Sequence, residues 1–327
     1  MVLELNGSNL TIEELAKIAR GNGKIGVSDK SWERIQTSRN MIQKKIDTHE
    51  VMYGVTTGIG EFSEVVLTPE QTREFQKFLV YSHAAGIGGP MSEDVVRGSM
   101  CGRINVHCRG YSGGRPEITQ QMIDILNAGI TPVVAAKGSV GACGDLSPMS
   151  QMAMCLMGEG DAYFNGERMS SSDALKLANI EPLILAARDG LALINGSNML
   201  TAMAALTISD ARKWIKMHDI ATAMTLEALN ANMIPYDPKL HELRGFTGSQ
   251  KTASNLRKLT VNSEIMAQSG KKVQDAYSLR STPQVAGSLR DAMDFAASQV
   301  EIELNGVGDN PVFLHEEDRV ITGANFQ

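Results

Sequence analysis

The chain has 327 residues, a formal net charge of −6, and 43% apolar against 21% charged residues. That length exceeds a single small domain and suits one large core or two domains. The acidic balance offers no basic surface for nucleic acid or an anionic membrane, no apolar run is long enough to span a bilayer, and Met1 to Leu10 lacks a basic-then-apolar leader pattern, so a cytoplasmic protein is expected.

Helix signals dominate. Thr11-Ile12-Glu13-Glu14 reads as a capping box opening a short helix, and Thr68-Pro69-Glu70-Gln71 repeats the device with proline in the first turn. Pro116 to Ala128 follows helical periodicity and stops at Gly129. Ser147-Pro148 starts an apolar helix running through Met152 and Leu156. Met199 to Leu229 and Ser249 to Leu304 are long, rich in alanine and methionine, and helical in pattern, with Pro235, Pro238 and Pro283 setting limits. Helices this apolar belong in a bundle core, where the 18 methionines act as filler. Strand signals are few; Val312 to Leu314 and Arg319 to Thr322 flank a charged turn and predict a hairpin.

Of the four cysteines, Cys101 and Cys155 are expected to be small buried residues. The six histidines show no zinc spacing, and Cys101, His107 and Cys108 lie in a helical stretch without a fourth ligand, so no metal is expected. Three glycine-rich loops stand between helices: Tyr53 to Gly60, Gly86 to Pro90, and Gly138 to Asp145. None is a phosphate-binding loop, because no Gly-Lys-Ser/Thr follows, and none has a strand-turn-helix dinucleotide-binding context.

Gly141 to Pro148 carries the chemistry. Cys143 in a small-residue loop suggests a nucleophile, yet Asp145 stands where a nucleophile elbow has its last glycine, and no histidine is placed by motif to activate it. A second chemistry fits better. Attack of the Gly144 amide nitrogen on the Ala142 carbonyl closes a five-membered ring around residue 143. Such a ring needs glycine after the central residue and a small residue before it. Elimination at both Ala142 and Cys143 then leaves a conjugated electrophile.

Here the string GSVGACGDLSP resembles the GSVGASGDLAP signature of the histidine, phenylalanine and tyrosine ammonia-lyases. In order along the chain, YGVTTGIGEF, SHAAGIG, LINGSN and QDAYSLRSTPQ, then Gly308-Asp309-Asn310-Pro311 and Asn325-Phe326, are similar to further motifs of that family, covering nearly the whole chain. The SHAAGIG string is closest to histidine ammonia-lyases. The family has serine where this chain has Cys143, so the elimination there would release hydrogen sulfide in place of water. An unmodified loop stands as the alternative.

The resemblance implies a mostly α fold of the histidine ammonia-lyase type. Residues 1–198 would form an N-terminal helix-and-loop domain carrying the electrophile, and residues 199–327 the start of a long-helix bundle whose C-terminal part is absent. It implies loss of ammonia from an aromatic L-amino acid, L-histidine to urocanate in first place, with tyrosine ammonia-lyase or 2,3-aminomutase activity as alternatives. The prosthetic group would be a methylidene-imidazolone made from Ala142, Cys143 and Gly144, with no metal and no diffusible cofactor. Tyr53 would take the β-proton, and Tyr277 would assist. Arg280 would clamp the substrate carboxylate with its planar fork. Gln274 and Asn195 would hold substrate, His83 would meet the substrate ring as donor or acceptor, and Phe326 would pack on it. Gln274, Tyr277 and Arg280 are spaced for one helix face or its end. As partners the resemblance implies three copies of the same chain in a homotetramer, and, since family members continue past this length with an active-site glutamate, a separate C-terminal chain. A non-catalytic or split subunit is the remaining alternative.

Overall fold

The computed structural model describes residues 2–21, 23–141 and 143–323, so Ala142, Asn325 and Phe326 lie outside the described residues. The fold is mostly α, and the chain forms two compact units: Met1–Leu206 with Val300–Gln327, and Thr207–Gln299.

The first unit opens with strand β1 (Val2–Leu5), helix α1 (Ile12–Arg20), strand β2 (Lys24–Val27) and helix α2 (Asp29–Asp47), the two strands pairing in parallel. Both expected capping boxes form. The Thr11 hydroxyl accepts the Glu14 N–H while the Glu14 carboxylate accepts the Thr11 N–H, and Thr68 and Gln71 do the same at the head of α3 (Pro69–His83). Then come β3 (Ile87–Pro90), α4 (Glu93–Cys108) and α5 (Pro116–Ala128), which ends at Gly129 in the left-handed conformation with φ 81°. β4 (Thr131–Pro132), β5 (Ala135–Lys137), α6 (Leu146–Leu156), β6 (Asp161–Phe164), β7 (Glu167–Ser170), α7 (Ser171–Leu177) and α8 (Asp189–Ile194) follow. β3 pairs with β5, and β4, β6 and β7 make a small antiparallel sheet. The anticipated hairpin is β8 (Val312–Leu314) against β9 (Arg319–Ile321), with Val312 opposite Ile321. The other strands span two to four residues and are too short to show alternation in sequence.

Helix α4 is buried from Val96 through Cys108, polar residues included. Arg97 shows how that is tolerated. Its guanidinium donates to the carbonyls of Ile18, Ala19 and Gly21 at the end of α1 and of Leu126 near the end of α5, 3.3–3.4 Å away. It thus satisfies carbonyls that a helix C-terminus leaves unpaired.

The boundary between the units falls within α9 (Asn198–Ala228). The second unit continues with α10 (Pro238–Arg244), α11 (Thr247–Thr260), α12 (Tyr277–Arg280) and most of α13 (Thr282–Asn305). Ala223, Leu226, Tyr236, Ala253 and Leu256 form its apolar centre. Beside it, Asp219 of α9 accepts from Asn255 of α11 at 2.7 Å and pairs with Arg290 of α13. The long helix expected from Ser249 to Leu304 is broken: α11 stops at Thr260, and a turn-rich segment runs to Ala276. Polar anchors hold that segment out of helical form. The Asn232 amide donates to the carbonyls of Lys272 and Val273, Lys271 Nζ donates to Asn230 and Ala231, and Asp275 accepts the Asn232 N–H at 2.6 Å. Gly270 sits at φ 83°, outside the helical region.

Candidate active site

Helix α8, six residues long and wholly buried, is the hub of the site in the first unit. The Asp189 carboxylate holds its start by accepting from the backbone of Ala186 and from Arg115. In its middle, the Ala192 carbonyl accepts from Arg103 and from His107 Nε2, each at 2.7 Å. Gly190 N–H donates to the Gln76 side chain of α3 at 2.9 Å, which fixes α3 and hence His83, its last residue. His83 Nδ1 lies 2.9 Å from the Leu79 carbonyl. In the neutral ring Nδ1 therefore carries the proton and Nε2 is the acceptor.

The Tyr53 loop rests on the same helix. Gly54 lies at φ 64°, and a Cβ there would come within 2.2 Å of Leu191 Cδ1. Glycine is required on both counts. Two threonines stitch the loop: Thr56 Oγ1 donates to the Glu50 carbonyl and accepts the Met52 N–H, both at 2.8 Å, and Thr57 Oγ1 accepts the Gly54 N–H at 3.2 Å. Gly60 N–H donates to the Tyr53 phenol oxygen at 3.4 Å, orienting a half-buried ring.

The glycine-rich loop before α6 reaches the chain just beyond α8. Gly141, Cys143 and Gly144 all have left-handed backbone, at φ 74°, 55° and 80°. Cys143 is exposed. Gly144 makes a parallel bridge with Gly196, just beyond α8, and a Cβ on Gly144 would lie 2.5 Å from the Gly196 carbonyl. Asp145, 5% exposed, ties the loop down. Its Oδ1 accepts from Ser139 Oγ at 2.7 Å, its Oδ2 accepts the Leu200 N–H in the first turn of α9 at 2.8 Å, and its own N–H donates to Gly196 at 2.9 Å. A carboxylate on the first-turn N–H of a long helix is in a favourable field. A cleft of about 500 Å³ opens beside the loop, lined by Ser139, Gly144, Asp145, Met199 and Met203 among others.

Asn195 caps the end of α8. Its Nδ2 donates to the Asn310 carbonyl at 2.8 Å, while its Oδ1 is buried and meets no donor among the described residues. Below it lies a fully buried triad. Asp309 accepts from Arg103 at 2.7 Å and from Arg188 at 2.6 Å, and Arg103 also donates to the Asn195 and Gly308 carbonyls. Carbonyl oxygens absorb the second positive charge, as burial of an ion cluster requires.

In the second unit, Tyr277 and Arg280 share α12, and the guanidinium lies 3.7 Å from the phenol ring centroid. Arg280 Nε meets no acceptor among the described residues. Gln274 sits on a bend before the helix, so the three residues do not share one helix face. Tyr236 of the unit's core donates its hydroxyl to the Leu279 carbonyl at 2.6 Å and anchors α12.

Cys101 and Cys155 are buried as expected, and so is Cys108. Burial pushes their thiols up to about 12, about 11 and about 12 respectively. Iodoacetamide at pH 8 is therefore expected to label the unmodified native chain at Cys143 alone, and to label nothing once residue 143 has lost its sulfur; native labelling of a buried cysteine, read by peptide mass, would contradict this. His107, between Cys101 and Cys108 in the sequence motif considered for metal, has Nδ1 on Thr119 Oγ1 at 2.9 Å and Nε2 on the Ala192 carbonyl, so both nitrogens serve the fold. Burial, aided by the Arg103 charge, lowers its pKa to about 3. Between about pH 6.5 and 3 the unfolded imidazole binds a proton that the folded one refuses, so stability falls as pH falls through that window, by up to about 1.4 kcal/mol per pH unit. Urea midpoints from pH 7 to 4 check this, since His107→Gln should flatten the slope.

Asp145, Arg103 and Arg188 are supports that no sequence motif assigned. Asp145 stood inside the motif without a role. The arginines carried one signal: Arg103 interrupts the apolar run of Met100, Cys101 and Ile104 on α4.

A family model described as aromatic amino acid lyase matches residues 10–327. The histidine ammonia-lyase of Alkaliphilus metalliredigens is 42% identical over 325 residues, covering 99% of this chain and 64% of that protein. That of Clostridium tetani is 43% identical over 323 residues, covering 98% and 63%. This chain thus spans a little under two thirds of the curated relatives it matches. Among solved structures, the Pantoea agglomerans phenylalanine aminomutase superposes with a TM-score of 0.94 at 27% identity, covering 100% of this chain and 66% of that one. Histidine ammonia-lyase from Trypanosoma cruzi superposes at 0.90 with 33% identity, covering 99% and 61%. The motif string, the loop that Asp145 holds against Gly196 and a family match over nearly every residue agree: this chain belongs to the aromatic amino acid lyase family.

Proposed function

We propose that the protein removes ammonia from an aromatic L-amino acid, L-histidine to urocanate in first place. The observation that carries this is the Cys143-Gly144 loop. It is left-handed on both residues, exposed at Cys143, and held against Gly196 where no side chain fits. These features suit a methylidene-imidazolone formed from Ala142, Cys143 and Gly144. When present it would supply an electron sink for departure of the amine. The buried Oδ1 of Asn195, which meets no donor among the described residues, is an acceptor suited to hold substrate or that group.

The protein's own residues have separate tasks. Tyr53, oriented by Gly60, takes the β-proton. Arg280, whose Nε meets no acceptor among the described residues and whose guanidinium stacks on Tyr277, receives the carboxylate bidentately, and Gln274 assists. His83, with Nε2 as acceptor, takes an N–H from an imidazole substrate, or an O–H from a phenol. Phe326, outside the described residues, is given the substrate ring by its motif alone. Assembly as a homotetramer is supported by exposed Trp214, Met217, Ile220 and Met224 along α9.

A second reading, a 2,3-aminomutase, is favoured by the fold likeness to the Pantoea enzyme. Intact mass and product analysis test both. A deficit of one water plus one hydrogen sulfide, with ammonia and urocanate from L-histidine, is the expected result. A β-amino acid product would replace lyase by mutase, and a full-mass, inactive chain would overturn catalysis by this polypeptide.

A further inference from the structure

A cavity bordered by the Tyr53 loop contains none of the residues given a role in the reaction. It measures about 530 Å³, and its wall includes Arg39, Arg73, Ile46, Val66, Leu67 and Ala187. Arg39 of α2 is 8% exposed. Its guanidinium donates to the Ala187 carbonyl and to Gln43 Oε1, both at 2.8 Å, and its remaining N–H groups meet no acceptor among the described residues. Among the described residues no carboxylate is bonded to it. The charges of Asp189, Glu117 and Asp47 reach it from further off; Asp189 is bonded to Arg115, and Asp47, which also lines the cavity, accepts from the Gln43 amide. A buried cation with no directly bonded anion is costly, and burial lowers its pKa accordingly. Arg73, an exposed arginine, also lines the cavity, while Ile46, Val66, Leu67 and Ala187 supply apolar surface.

We propose that this cavity binds a small organic oxyanion, its carboxylate or phosphate between Arg39 and Arg73 and its apolar body on Val66 and Leu67, and that the occupant braces the Tyr53 loop. Arg39 and Arg73 both line this one space, and a guanidinium suits an oxyanion in geometry as well as charge. The link to the loop is direct: Thr56 and Leu67, which both line the cavity, close the loop through the Leu67 N–H on the Thr56 carbonyl at 2.9 Å. An occupant touching both ends opposes their separation.

Calorimetric titration of the full chain with benzoate and, separately, inorganic phosphate tests the site, and the readout needs neither turnover nor ring formation. Arg39→Gln also removes the bond to Ala187, so the exposed Arg73→Gln carries the test, with Lys30→Gln as a distant control. The expected result is saturable binding, weakened about tenfold or more in Arg73→Gln and unchanged in Lys30→Gln. Tighter binding of benzoate identifies a carboxylate with an apolar body, and tighter binding of phosphate identifies a phosphate ester. Bound probe should also slow amide exchange in residues 53–67. Absence of binding to the native chain, or equal weakening in both variants, overturns the site; binding without slower exchange overturns the bracing.

Discussion

Replacing Asp309 by alanine is expected to lower the unfolding free energy by about 3–5 kcal/mol, the cost of leaving buried charge unpaired. The physical reason is specific to this site. Asp309, Arg103 and Arg188 are all fully buried, and one carboxylate faces two guanidinia at 2.7 and 2.6 Å. Removing it leaves two positive charges in a low-dielectric interior with carbonyls alone to receive them. Asp309→Asn preserves volume but not charge, so most of the loss should persist. An exposed pair is the control: Arg168 meets Asp161 at 2.6 Å, with both side chains about half exposed, and Arg168→Ala should cost less than about 1 kcal/mol. Urea midpoints of the three variants decide the matter, and near-equal losses would refute the assignment. Because Arg103 also holds the Asn195 carbonyl, the damage should reach the candidate site.

The second large effect concerns the ring. Gly144→Ala should abolish the mass deficit, leave Cys143 open to alkylation, and reduce stability by about 1–3 kcal/mol. A methyl group at this position has two obstacles: the residue needs φ 80°, and the Cβ would lie 2.5 Å from the Gly196 carbonyl, which is backbone and has little room to move. The Gly144 nitrogen would then be displaced from its place in the loop. Gly141→Ala separates the obstacles, because Gly141 shares the left-handed φ, at 74°, but has open space around it. It should cost about 1 kcal/mol and slow ring formation without preventing it. Intact masses of both variants are the measurement. A matured Gly144→Ala chain would mean that the contact with Gly196 does not control the loop.

Local signals carried much of the fold because their causes are local. The boxes at Thr11 and Thr68, the left-handed stop at Gly129 and the hairpin from Val312 to Ile321 each depend on residues a few positions apart. The string Gly138 to Pro148 likewise held the composition that ring closure needs, and the neighbouring motifs named Tyr53, His83, Asn195 and Arg280 as candidates. Periodicity failed at 261–276, where a pattern compatible with helix is overridden by hydrogen bonds linking Lys271, Lys272 and Asp275 to Asn230 and Asn232, some 40 positions earlier. Tertiary structure alone decided which polar residues serve as supports. Asp145 reaches Leu200 across 55 positions, and Arg103 reaches Asp309 across 206. Nothing in the local chemistry of an aspartate or an arginine records such a partner. Burial makes the pairing obligatory, and burial exists only once α8 is enclosed.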